Sequence, residues 1–152
     1  MLSPASTSEE TLQQAIDRLW ETVPPVWNQI RGNVRAIARD RYHISVQQFR
    51  VLRHIRKGVR SSSQLAFACQ TSRPAISQCV DALVGKGLVT RRQSTRDRRY
   101  VELELTPGGS DMLDAIFEEN RRWMRQKLAS QSPEEMGSIL VGLQALKNAF
   151  DA

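Results

Sequence analysis

The sequence predicts a mostly α-helical fold that carries one small β-hairpin. Apolar residues recur at helical spacing along most of the chain, and serine, threonine or proline stands at the expected helix starts. The exception is 88–105, where two short strand-like runs flank a polar tip and the second run alternates with a period of two. With 152 residues, of which 40% are hydrophobic, the chain can bury a core as one globular unit without disulfides or metals.

Two helices are expected in the first 41 residues. Thr7-Ser8-Glu9-Glu10 has the pattern of a capping box, in which serine or threonine and a later glutamate satisfy the first backbone N–H groups, and it predicts a helix over 8–23. Pro24 and Pro25 lack the backbone N–H and restrict the residue before them. They therefore predict an interruption or a sharp kink, with a fresh helix over 26–41.

The next segment predicts three more helices. Ser45-Val46-Gln47-Gln48 is a second capping box, and Gly58 ends the helix that it begins. Ser61-Ser62-Ser63 offers N-caps for a short helix, and Ser72 caps another that has Pro74 in its first turn. Two short helices across a tight turn are what a helix-turn-helix requires.

The helix that starts after Ser72 has two unlike faces. Its apolar stripe includes Ile76, Val80 and Leu83, whereas the opposite face carries the short or forked polar side chains Arg73, Ser77, Gln78 and Asp81. Such side chains suit base edges and phosphates, and a helix N-terminus attracts phosphate. An ordinary surface helix with polar residues outward fits this pattern equally well.

The hairpin tip, 93–99, favours the DNA-binding interpretation. It contains three arginines, one aspartate and no apolar residue, and a narrow minor groove attracts inserted arginine. Asp97 stands two residues before Arg99 and would hold that guanidinium in a bidentate pair, while Arg96 and Arg98 would meet backbone phosphates. The alternative is a solvated turn with compensating salt bridges.

Positive charge is concentrated in the same part of the chain. Residues 43–105 hold 12 lysines and arginines against four acidic residues, whereas the remainder holds 10 against 12. Together these patterns predict a site that binds duplex DNA, composed of Ser72, Arg73, Pro74, Ser77, Gln78, Arg91, Arg96, Asp97, Arg98 and Arg99.

Several ordered motifs closely resemble the MarR family of winged helix-turn-helix regulators. The resemblance covers most of the chain and is carried by Ser45 to Ile55, Ser63-Gln64-Leu65-Ala66, the run from Ser72 to Val89, Asp97-Arg98-Arg99, and Leu105-Thr106-Pro107-Gly108-Gly109. It implies a homodimer on pseudo-palindromic promoter DNA, usually a repressor that a ligand or oxidant relieves. It also implies that the helix from Ser72 lies in the major groove and that Asp97 orients Arg99 in the minor groove.

The chain ends fit the implied dimer. Thr106-Pro107 and Ser132-Pro133-Glu134-Glu135 each open a helix with an apolar face, although a purely intrachain bundle would show the same pattern. We therefore expect a winged helix-turn-helix DNA-binding domain at 42–105 and a helical dimerisation region formed by 1–41 and 106–152.

The sequence says least about how the protein is regulated. Cys69 and Cys79 fall on core-facing stripes, which favours packing over redox sensing. Trp20, Trp27 and Tyr42 lie near the place where members of the family bind small aromatic ligands, so they would line an effector pocket or belong to the core.

Other classes of function receive less support. The sequence has no glycine-rich phosphate loop, nucleophile elbow or metal-ligand spacing, so we expect no catalysis, metal or cofactor. It has no signal peptide or long apolar run, so we expect a cytoplasmic protein with no membrane contact. A winged helix used as a protein-interaction module, without specific DNA readout, is the alternative.

Overall fold

The computed structural model describes residues 4–95, 97 and 99–151, with side chains from residue 8 onward. Within these ranges the chain is mostly helical and has one antiparallel hairpin, as the sequence predicts. In chain order the elements are α1 (Pro4–Tyr42), α2 (Val46–Arg56), α3 (Ser62–Cys69), α4 (Arg73–Gly85), β1 (Val89–Gln93), β2 (Val101–Leu105), α5 (Pro107–Leu128) and α6 (Pro133–Phe150). Contacts divide the chain into two compact units, and the boundary along the chain falls between Asn120 and Arg121.

The expected break in the first helix is wrong. α1 is one helix in which Pro24 and Pro25 are internal, and it starts before the capping pattern at Thr7. The prolines remove the N–H groups that would bond the carbonyls of Trp20 and Glu21. Both of those residues are exposed, so water can take the place of the missing donors. Two helices, not three, therefore precede the helix-turn-helix.

The other predicted helix ends are confirmed. α2 and α6 begin with complete capping boxes, in which Ser45 pairs with Gln48 and Ser132 pairs with Glu135. The side chains of Ser61 and Ser72 accept hydrogen bonds from the backbone N–H three residues later. Beyond α2 and α4, Gly58 and Gly87 have φ values of 96° and 70°, a left-handed conformation that glycine adopts without strain.

The turn between α3 and α4 lies at Gln70-Thr71, as the sequence predicts, but its backbone conformation was not predicted. Gln70 takes a left-handed conformation with φ 52° and ψ 50°, which is uncommon for a residue with a side chain. The backbone N–H of Thr71 then bonds the carbonyl oxygen of Ala66 at 3.0 Å. This tight turn joins α3 to α4.

The core of the first unit holds α4 in place. Apolar side chains from α2, α3, α4, both strands and the start of α5 meet in one cluster, where Leu52, Leu65, Ile76, Leu83 and Leu113 are fully buried. Because α4 contributes its whole apolar stripe, its polar face is left outward.

The hairpin packs beside α4 as a two-stranded sheet. Val89 pairs with Leu105 and Arg91 pairs with Leu103 in an antiparallel register. The N–H of Leu103 also bonds the carbonyl oxygen of Arg60 at 2.8 Å, which ties β2 to the segment before α3. Val89 and Leu103 are buried and fix the base of the hairpin.

The start of α5 lies against the backbone that precedes β1. Thr106 donates its hydroxyl to the carbonyl oxygen of Gly87 at 2.6 Å, and its N–H bonds Leu88 O at 3.1 Å. Its hydroxyl also accepts from the N–H of Gly109 at 3.0 Å and so caps the helix. The helix approaches so closely because Gly109 has no side chain.

The second unit contains the end of α5 together with α6. None of the residues described in α6 is buried, although Leu140, Val141, Leu143 and Phe150 are large and apolar. Large apolar residues exposed along a helix form a surface that can bind a partner.

Substitution of Gly109 tests the close contact between the start of α5 and the backbone of Leu88. A Cβ built at Gly109 would overlap the Leu88 carbonyl oxygen and lie 3.1 Å from its carbon. Because both atoms belong to the backbone, relief requires a shift of α5, and we expect Gly109→Ala to lower the free energy of unfolding by about 1–3 kcal/mol.

Gly108→Ala is the matched control. A Cβ there would meet its nearest neighbour at 3.7 Å, and alanine favours helix, so stability should rise by up to about 1 kcal/mol. Urea unfolding followed by circular dichroism measures both. Equal stability of the two variants would contradict the close approach.

Candidate DNA-binding interface

The exposed face of α4 carries the first group of predicted site residues. Ser72, Arg73, Pro74, Ser77 and Gln78 are all exposed, whereas the opposite stripe is buried. The side chain of Ser72 is occupied by its cap, because its hydroxyl accepts from the N–H of Ala75 at 3.3 Å. This leaves Arg73, Ser77 and Gln78 free to reach outward from the first two turns of the helix.

The hairpin and its tip form a wing beside α4, here defined as 89–105. At the tip, Arg99 donates Nε to Oδ1 of Asp97 at 3.1 Å and Nη2 to Oδ2 at 2.8 Å. The N–H of Arg99 also bonds Oδ1 of Asp97 at 3.0 Å. The bidentate pair that the sequence suggested is therefore present, and its carboxylate fixes both the backbone and the side chain of the arginine.

The electrostatics of the tip follow from this pair. Hydrogen bonds from the side chain and backbone of Arg99 hold the pKa of Asp97 below its ordinary value, and Asp97 raises the pKa of Arg99. The arginine side chain is still 84% exposed, against 35% for the aspartate. The pair thus fixes the orientation of the Arg99 guanidinium and leaves most of that side chain exposed to solvent.

Arg96 and Arg98, which the sequence also assigned to the site, lie outside the described residues. Arg91 is described and does not stand alone: its Nη2 lies 2.6 Å from Oδ1 of Asp81 on α4. Sequence spacing did not indicate this pair, because its members are on different elements.

Two further acidic residues of the wing have partners. Ser94, which is buried and directly follows β1, donates its hydroxyl to Glu102 at 2.6 Å. Glu104 lies 3.5 Å from Nη1 of Arg60 and 3.4 Å from Nε of Arg92. Glu102 and Glu104 therefore interact with groups of the wing and with Arg60, which precedes α3.

Residues considered for regulation fall in different environments. Cys69 and Cys79 are buried, and burial raises the pKa of the Cys69 thiol and raises that of Cys79 to about 11, so little thiolate forms at neutral pH. Trp20 and Trp27 are 72% and 54% exposed and do not belong to the core of the single chain. The hydroxyl of Tyr42 donates to Glu119 at 2.9 Å.

Two further properties of the described residues concern metal ions and membranes. No group of three or more histidine, cysteine or acidic side chains is placed to hold a metal ion. None of the described helices is both long and apolar enough to span a membrane.

An exposed helix after a tight turn, followed by a hairpin with a cationic tip, defines a winged helix-turn-helix protein. Comparison with known proteins supports this classification. Residues 43–99 match the model of the MarR family, and the chain is similar to curated proteins described as HTH-type transcriptional regulators.

One relative and two solved structures illustrate the similarity. The transcriptional regulator YpoP of Bacillus subtilis is 25% identical over 116 residues, which are 76% of this chain and 81% of YpoP. The transcriptional regulator Tm0710 of Thermotoga maritima superposes with a TM-score of 0.80 at 21% identity, over 91% of this chain and 95% of that one. A point mutant of S. aureus MepR bound to an oligodeoxyribonucleotide has a TM-score of 0.68 at 17% identity, over 83% and 93%. At these identities the two structures show a shared fold.

Titration of Asp97 tests the geometry of the tip without DNA. Since hydrogen bonds from Arg99 keep this pKa low, we expect Arg99→Ala to raise it toward the ordinary aspartate value. The carboxyl carbon shift of Asp97 can be followed by NMR across the acidic range. An unchanged pKa in the variant would show that the pair does not form in solution.

Proposed function

We propose that the protein is a sequence-specific DNA-binding transcriptional repressor that acts as a homodimer on a pseudo-palindromic operator. The observation that carries the proposal is the braced Arg99 at the wing tip, beside an α4 whose polar face is open. One chain would then contact two adjacent grooves of the same DNA half-site.

The first contact would be made by α4 in the major groove. The helix starts with Ser72 as its cap and has no acidic residue in its first turn, so its N-terminus favours a phosphate. Gln78 lies on the exposed face one turn further along and has the amide geometry that can read adenine. Arg73 would contact phosphate or a guanine edge at the start of the helix.

The second contact would be made by the wing in the minor groove. A narrow, A·T-rich minor groove has an enhanced negative potential that rewards an inserted guanidinium. Arg99 meets this requirement, because Asp97 holds its direction and leaves it 84% exposed. The proposed roles of Arg96 and Arg98 are contacts with the flanking backbone phosphates.

The homodimer is supported by uncovered apolar residues on both terminal helices. In α1 these are Leu12, Ile16, Trp20, Val23, Val26 and Trp27, and in α6 they include Leu140, Leu143 and Phe150. Burial of such residues against a second copy is favourable, and a two-fold dimer is the commonest assembly. We therefore propose 1–41 and 106–152 as the dimerisation region and 42–105 as the DNA-binding domain.

Repression and its relief follow from the resemblance to the MarR family. Occupancy of a promoter by the dimer would exclude other proteins, and a small molecule that favours another spacing of the two DNA-binding domains would release it. We propose that the exposed Trp20 and Trp27 contact such an effector.

Salt dependence tests DNA binding itself. Contacts from two protomers through arginines such as Arg73 and Arg99 should release many counterions. Affinity for random duplex should then fall roughly a thousandfold or more between about 50 and 200 mM salt. Fluorescence anisotropy with labelled duplex measures it. Absence of binding to any duplex at low salt would contradict the function and favour a protein-interaction module.

Replacement of Asp97 separates bracing from simple charge. Loss of a negative charge near DNA predicts tighter binding, whereas loss of the brace disorders Arg99 and predicts weaker binding. We expect Asp97→Ala to weaken operator binding, and Arg99→Ala to weaken it by roughly tenfold with a lower preference for A·T-rich flanks.

Asp111→Ala is the control, because it removes the same charge from an exposed position on α5. Anisotropy titrations at one salt concentration compare the three proteins. Unchanged or tighter binding by the Asp97 variant would refute the bracing role.

The dimer can be tested through α6. Leu143 is 59% exposed in the single chain, and a buried carboxylate in an apolar interface is costly. We expect Leu143→Glu to convert a dimer into a monomer at micromolar concentration, measured by light scattering. Ser138→Glu places the same charge at an exposed polar position of α6 and should remain dimeric. A monomeric wild-type chain would argue against a palindromic operator.

A further inference from the structure

The exposed face of α4 contains one feature that DNA binding does not obviously favour. Asp81 is the only acidic residue of this helix, and its side chain is 60% exposed. A carboxylate near the DNA backbone is repelled by phosphate, so an uncompensated Asp81 would weaken binding. The structure supplies a partner, because Nη2 of Arg91 lies 2.6 Å from Oδ1 of Asp81.

Arg91 belongs to β1, so its ion pair with Asp81 joins the wing to α4. Arg91 follows Val89 by two residues on β1 and pairs with Leu103 on β2. Side chains two apart on a strand share a face, and both Val89 and Leu103 are buried. Arg91 therefore leaves the wing on the side that faces the core and reaches Asp81 across the junction between the wing and α4.

We propose that Asp81 is a positioning residue for DNA recognition. It holds the guanidinium of Arg91 at the junction between the helix that reads the major groove and the wing that enters the minor groove. The DNA backbone between the two grooves would pass this junction. This inference rests on the proposed function and deepens it.

The chemistry of arginine allows both contacts at once. A guanidinium has five N–H donors in a rigid plane, and the bond to Asp81 is made through Nη2. The arginine side chain stays 40% exposed, so other donors remain available to a phosphate. Asp81 would thus fix where the phosphate is bound, and with it the spacing between the two groove contacts.

The two possible roles of Asp81 predict opposite signs. If its charge only repels DNA, removal tightens binding to every duplex. If it positions Arg91, removal weakens binding to the preferred sequence while leaving random duplex equal or tighter. The ratio of operator affinity to random affinity is therefore the decisive quantity.

The experiment starts from a duplex selected out of a random pool by the wild-type protein. We expect Asp81→Asn to lower the ratio of operator to random affinity by roughly tenfold. Asp81→Glu retains the charge and should restore most of the preference. Asp111→Asn removes one charge from an exposed position of α5 and should leave the ratio unchanged.

A double-mutant cycle tests whether Asp81 acts through Arg91. In an Arg91→Ala background, Asp81→Asn should have little further effect on the ratio, because the group that it positions is gone. Additive effects would overturn the proposal. So would equal tightening on both DNAs, or equal weakening accompanied by a lower melting temperature.

The outcomes separate this inference from the proposed function. If the wild-type protein enriches no sequence from the pool, sequence-specific DNA binding itself fails. If it enriches a sequence and Asp81→Asn retains the full preference, DNA binding stands and only the positioning role of Asp81 fails.

Discussion

The packing of the apolar stripe of α4 determines which side chains of that helix face solvent and where the wing lies. Ile76, Val80 and Leu83 are fully buried against neighbouring helices, and burial of such side chains is worth about 1.5–3 kcal/mol each. This packing turns Arg73, Ser77 and Gln78 outward, and all three are exposed. The position of the wing follows from the same core, because Leu88 and Val89 enter it as the chain leaves α4.

The acidic residues of 43–105 orient neighbouring side chains, while the segment keeps its net positive charge. Each of the four has a partner: Asp81 pairs with Arg91, Asp97 with Arg99, Glu102 with Ser94, and Glu104 with Arg60 and Arg92. Exposed ion pairs contribute little to stability. The ion pairs instead orient the arginine side chains, because a paired guanidinium has fewer accessible rotamers and retains donors for phosphate.

Local chemistry explains what could be predicted from the sequence. The caps at Ser45, Ser72 and Ser132 and the left-handed Gly58 and Gly87 depend on neighbours a few residues away, and a pair two residues apart, Asp97 and Arg99, is equally local. The continuity of α1 through Pro24 and Pro25 depends on solvent, and the left-handed Gln70 on the packing of two helices. The pairing of Arg91 with Asp81 depends on tertiary structure, which spacing along the chain does not encode.

Dimethyl sulfate footprinting on a selected operator tests whether α4 and the wing occupy adjacent grooves, because the reagent reports both grooves at once. It methylates guanine N7 in the major groove and adenine N3 in the minor groove. We expect protection of guanine N7 where α4 lies and of adenine N3 in the adjacent flank, repeated in two half-sites with two-fold symmetry. Protection confined to one groove, or to a single half-site, would contradict this arrangement.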